Sequence, residues 1–133
     1  MRYLLMICAV VLAGTGPAMA QEAGIEATIR DQVEAFRAED LARAFSHASP
    51  GIQRRFGDPQ NFGAMVRDGY PMVWRPAELR FQELVERDGA LWQRVGITDA
   101  AGRAYLLEYR MIESGGGWKI DAVQFLGAPA PAV

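Results

Sequence analysis

One cysteine, one histidine and one lysine are all that this 133-residue chain holds of those three residue types. Cys8 lies in the first twenty residues, so residues 21–133 contain no thiol, and neither a disulfide nor a thiolate metal site braces them. Zinc takes three or four histidine, cysteine or carboxylate ligands; His47 alone, among dispersed acids, does not supply them. The same scarcity bears on covalent catalysis, because His47 is the sole imidazole available to activate a nucleophile. Ser46 and Ser49 sit too near it on one helix to face it, and no G-x-S-x-G turn occurs. Packing or solvent exposure is therefore the reading for His47. Lys119 is the only lysine beside thirteen scattered arginines, and the formal net charge is −2. Phosphate-tracking proteins concentrate positive charge on one face, so nucleic acid is excluded as the expected partner. No cofactor and no metal is expected.

Long apolar runs are also missing. The longest covers residues 4–13, about half of the roughly 20 residues a membrane-spanning helix needs, and Gly14, Gly16 and Pro17 break it. Arg2 ahead of the run and Ala18-Met19-Ala20 behind it form the pattern of a secretory signal peptide over residues 1–20, with cleavage expected after Ala20. Cys8 lies inside the run, badly placed for lipidation. The product is expected to be periplasmic or secreted, with no membrane attachment after cleavage. Its acidic surplus grows when Arg2 leaves with the leader. Residues 21–126 suit a single domain held by its core alone.

Ile25, Ile29, Val33 and Phe36 recur at helical spacing and predict an amphipathic helix. Asp40 caps a second helix expected to run to about Ser49. Ser49 before Pro50 and Asp58 before Pro59 open two more, because a capping oxygen precedes a proline that needs no amide partner. Gly57 and Gly69 are read as left-handed stops. Pro71 and Pro76 bracket residues 72–75, which are expected to be extended, as an edge strand or loop. Leu79, Phe81 and Val85 then alternate up to Asp88-Gly89, a hairpin pair, and Leu91, Val95 and Ile97 alternate on the return. Residues 105–112 and 118–125 form a last pair, joined through Ser114 and three glycines. Helices first and an antiparallel meander afterwards indicate α+β, with N-terminal helices packed on a curved antiparallel sheet of four to five strands. The Ala/Pro tail, residues 127–133, is expected to be disordered.

The block carrying Phe45, Ala48, Pro50, Gly51, Ile52, Phe56, Gly57, Phe62, Met65, Val66, Gly69, Tyr70, Val73, Arg75 and Pro76 resembles the bacterial family catalogued as domain of unknown function 4864. That family is similar to the nuclear transport factor 2-like superfamily. The resemblance implies a cystatin-like cone, often with an internal pocket, and self-association as a homodimer; it transfers no catalytic residue.

An activity is not fixed by these residues. Tyr70, Trp74 and Arg75 fall where helices hand over to sheet and are the candidate ligand-binding residues, since aromatic surface offers stacking and arginine a planar fork. No catalytic residue is assigned. Asp121 is the alternative acid/base, as the resemblance to ketosteroid isomerase and polyketide cyclases suggests, with Tyr105 or Tyr109 as the phenol. Alternation puts Glu108 on the opposite face from both tyrosines. The expected role is a non-enzymatic binding module for a small apolar ligand or a protein partner. The alternatives are a pocket enzyme of the isomerase or cyclase type and a structural envelope protein. An apolar, aromatic cavity would favour binding; a free ionisable group beside a phenol would favour chemistry.

Overall fold

The computed structural model of the chain describes residues 17–127. Most of the expected leader, and the expected disordered tail beyond Gly127, lie outside them. Helix α1 (Pro17–Arg37) passes through Ala20 and buries the predicted stripe, with Ile25, Ile29, Val33 and Phe36 all in the core. Its end is a Schellman turn: the Asp40 amide donates to Ala35 O at 2.9 Å and the Glu39 amide to Phe36 O at 3.0 Å. Glu39 takes the left-handed conformation there, at φ 54°. Two long side chains then clamp this end of α1 to a distant segment. Arg75 Nη1 donates to Phe36 O at 2.8 Å, and Arg37 Nη2 donates to Pro76 O at 2.6 Å.

Asp40 opens α2 (Leu41–Ser46) by accepting from the Arg43 amide. The helix stops short of the expected Ser49 because the chain finds strand partners instead. His47 O accepts from the Ile120 amide at 2.9 Å, the Ser49 amide donates to Ile120 O at 2.8 Å, and Ala48 forms a parallel bridge to Ile120. The next two starts are as the sequence predicts. Ser49 Oγ accepts from the Ile52 amide to begin α3 (Pro50–Phe56), and Asp58 Oδ1 accepts from the Asn61 amide to begin α4 (Pro59–Gly69). Gly57, at φ 82°, ends α3.

Two expectations fail at the next junction. Gly69 is the last residue of α4, not a left-handed stop; the chain leaves the helix at Tyr70, φ −135° and ψ 58°. The cause is Pro71, whose ring pushes the residue before it out of helical space. Residues 72–75 are then not an extended piece. Pro71 opens a single helical turn, α5 (Pro71–Trp74), as a proline in a first turn can, and Met72 and Val73 enter the core.

Four strands follow as one antiparallel sheet in sequence order: β1 (Glu78–Arg87), β2 (Ala90–Thr98), β3 (Ala104–Ser114) and β4 (Gly117–Phe125). The fold is α+β, with the N-terminal helices packed against an open antiparallel sheet. Asp88-Gly89 and Gly115-Gly116 make two-residue hairpins with positive φ at both positions, the geometry that matches strand twist. Two bulges break the simple alternation. In β1 the register shifts between Phe81 and Leu84, so Leu84 joins the core and Val85 lies opposite Trp92. The β3–β4 register shifts at Arg110/Met111, leaving Asp121 as the extra residue between Ile120, paired with Met111, and Ala122, paired with Arg110.

Ser49 ties these halves together. It has no exposed surface; its hydroxyl accepts from the Ile52 amide at 3.2 Å and donates to Asp121 Oδ1 at 2.7 Å. Ser49→Ala removes a cap and strips a partner from a carboxylate, so urea unfolding should show a loss of about 1–2 kcal/mol. A loss below about 0.5 kcal/mol would mean that the cap is dispensable.

Candidate functional site

Between the helices and strands β3 and β4 lies a partly open cavity of about 330 Å³. That is near the lower bound of small-molecule sites, roughly 300–1,000 Å³. Six segments build it. Phe36 comes from the buried stripe of α1; Ile52 and Phe56 come from α3, which Ser49 aims; Phe62, Met65 and Val66 form one face of α4. Tyr70 and Val73 close it at the proline junction, and Tyr109, Ile120 and Val123 supply the sheet wall. Aromatic contacts set part of its shape: Phe62 packs on Phe36, Phe45 and Phe56 at centroid distances of 5.9, 5.4 and 5.8 Å. The β4 bulge matters here, because it lets Ile120 and Val123 face inward while Asp121 reaches the same wall.

Polar groups in the wall are few, and one of them, Arg55, is exposed with its guanidinium 5.7 Å from the Phe56 ring centroid. Gln32 is buried and donates through Nε2 to Ala44 O at 3.1 Å. The Tyr70 hydroxyl donates to Val123 O at 3.3 Å, and its ring stacks on Phe125 at 5.3 Å. Both oxygens of Asp121 are engaged, Oδ1 by Ser49 and Oδ2 by Arg110 Nη1 at 3.2 Å. Tyr109 has no exposed surface, and its hydroxyl has no hydrogen-bond partner among the described residues. Burial pushes its pKa well up, and the nearby Tyr70 adds to the shift, so it remains a neutral phenol.

Of the three ligand-binding candidates read from the sequence, the cavity wall includes Tyr70 alone. Trp74 packs on Phe36 at 5.5 Å with the Arg75 guanidinium 4.9 Å above its ring. Arg75 donates to Phe36 O and Trp74 O and lies 3.7 Å from Glu39, fastening α1 to α5. Asp121 does line the cavity, as the carboxylate of an ion pair. Tyr105 is turned elsewhere, its hydroxyl 3.3 Å from Asp99 Oδ2. Sequence reasoning missed the site's apolar body, Phe36, Ile52, Phe56 and Phe62, although each stands in the periodic pattern; periodicity marks a buried face and does not say whether that face meets atoms or space.

Two charged clusters lie outside the cavity. Asp31 accepts from Arg43 and lies 2.5 Å from His47 Nε2; the Arg43 hydrogen bonds first, then that of His47, hold its pKa down to about 2. Because that value is depressed, the stabilisation is present above the ordinary carboxylate range and is lost as pH falls towards 2. Glu108, on the sheet face away from Tyr109, has no exposed surface and pairs with Arg87, with Gln124 and Arg94 beside it. Neither cluster contributes a side chain to the cavity lining. Among the described residues, no three His, Cys, Asp or Glu side chains are grouped to hold a metal ion.

Neither a curated protein nor a solved structure matches the chain. A family model does match, over residues 18–133, and covers all the described elements from α1 to β4 but for Pro17, the first residue of α1. With that span the chain belongs to the family described as domain of unknown function (DUF4864).

Proposed function

We propose that this protein is an exported, non-enzymatic binding domain that holds a small apolar molecule in the cavity between its helices and sheet. The cavity wall carries the reading: about 330 Å³ bounded by Phe36, Phe56, Phe62, Met65 and Val123, with few polar atoms. Apolar surface concave to this degree attracts apolar solutes, since filling it removes both water contact and void. Export rests on the leader pattern of residues 1–20.

Proton-transfer chemistry is the competing reading, because Asp121, Tyr70 and Tyr109 share one wall. A general base needs a lone pair aimed at the substrate. Asp121 is held in a structural pairing instead, one oxygen against Ser49 and the other against Arg110. Binding is therefore preferred.

Nile red, a neutral dye whose emission rises in apolar surroundings, serves as a probe. The protein should enhance its emission saturably. Ile52→Trp enlarges a half-buried lining side chain to an indole and should weaken the dye by at least about tenfold, equivalent to 1.4 kcal/mol, while leaving the thermal midpoint within a few degrees. Unaltered dye affinity in a folded Ile52→Trp protein would move binding away from this cavity.

A further inference from the structure

Three buried side-chain polar atoms lack a hydrogen-bond partner among the described residues: Arg94 Nε, Arg110 Nε and the Tyr109 hydroxyl. The two arginines are satisfied through their other nitrogens, Arg94 by Glu83 and Arg110 by Asp121, and both side chains reach solvent. Tyr109 has no such outlet. A buried hydroxyl left unpaired has given up its water for nothing, and phenylalanine would fill the same space without that cost. No acceptor in the wall among the described residues comes within hydrogen-bonding distance of it: the Tyr70 hydroxyl stands against Val123 O, and the Asp121 carboxylate is held by Ser49 and Arg110.

An unpaired donor in an apolar wall restricts what the cavity accepts. Burial keeps the phenol neutral. A carboxylate or phosphate seated on Tyr109 would lose its hydration against one neutral hydroxyl, with the Asp121 carboxylate in the same lining; the cation of that lining, Arg55, is exposed and rests 5.7 Å from the Phe56 ring centroid. A hydrocarbon would fill the space and leave the hydroxyl as it is. A carbonyl or ether oxygen costs little to desolvate and completes the missing hydrogen bond. We infer that the ligand is an uncharged, largely apolar molecule bearing one accepting oxygen, a ketone in the simplest case, and that this oxygen seats on the Tyr109 hydroxyl. This rests on the binding role proposed above. Tyr109 has no exposed surface, so a ligand reaches its hydroxyl only when the side chains over it part.

Benzophenone and 1,1-diphenylethylene differ only in C=O against C=CH2 and make a matched pair. In competition with Nile red, the ketone should bind about threefold to tenfold more tightly than the alkene, the span of one net hydrogen bond. In Tyr109→Phe that ratio should fall to about one with the alkene's affinity unchanged, as loss of a single hydrogen bond requires. The carbonyl stretch of bound benzophenone should shift to lower wavenumber in the wild type and recover in Tyr109→Phe. The variant should also melt at or above the wild-type temperature, because it sheds an unsatisfied group. Equal affinities for the pair, a ketone preference that survives Tyr109→Phe, or an unshifted carbonyl stretch would each overturn the assignment, as would Nile red binding that neither compound displaces. Failure of Nile red itself to bind would instead bring down the binding role, and the assignment with it.

Discussion

Phe36→Ala should cost about 3–5 kcal/mol, the range for deleting a buried aromatic ring, and should fall in the upper half of it. Phe36 has no exposed surface and joins Phe62 and Trp74 at 5.9 and 5.5 Å, so truncation removes two aromatic contacts along with the burial. The usual relief is collapse of neighbours into the space. Here the ring is itself part of the cavity wall, and its loss enlarges a void that the surrounding helices already fail to close. Its backbone carbonyl also receives Arg75, which pins the end of α1 and limits how far the helix can settle. Phe36→Leu keeps most of the volume and should lose less than about 1.5 kcal/mol. Guanidinium unfolding of both variants measures the pair; similar losses would show that the cavity does not govern the response.

That ring illustrates how the fold and the site differed in legibility. Local chemistry was readable: Asp40, Ser49 and Asp58 cap helices because their oxygens lie a few residues from the amides they serve, and Asp88-Gly89 turns because its own backbone adopts positive φ. The proline at 71 was ambiguous, since a fixed φ suits an extended segment and a first helical turn alike. Only the burial of Met72 and Val73 against other elements selects the helix. The bulges at Phe81/Leu84 and around Asp121 depend on the facing strand, so no pattern within β1 or β4 announces them. Arg75 looked available for a ligand because its partners, Phe36 O and Glu39, lie far earlier in the chain. The cavity draws on six segments, and its volume is a property of how side chains fail to meet; composition cannot encode that by itself.

Arg87→Met should destabilise the protein by about 2–4 kcal/mol at neutral pH, because it leaves the buried Glu108 carboxylate without its main partner. Glu108 has no exposed surface, and its oxygens accept from Arg87 and, at 2.6 Å, from Gln124; Arg94 Nε stands 3.7 Å away and softens the loss. Methionine retains an apolar stem over Trp92, so the change reports mainly on charge. In the wild type the Arg87 hydrogen bonds outweigh burial, helped by Gln124, and lower the Glu108 pKa from its ordinary value of 4.5. Its contribution is then present above that value and fades as pH falls through the depressed one. Without Arg87, burial dominates and the pKa rises above its unfolded value, which reverses the dependence: the variant's deficit should shrink as pH is lowered from 7 to 4. Adding Glu108→Leu to Arg87→Met removes the stranded charge and should restore stability to within about 1 kcal/mol of the wild type, since a buried pair is often replaceable by apolar side chains as a unit. Urea titrations of the three proteins at both pH values test the scheme. A single-variant loss under about 1 kcal/mol, or a double variant no better than the single, would show that Glu108 is held by Arg94 and Gln124 and that Arg87 is only its cover.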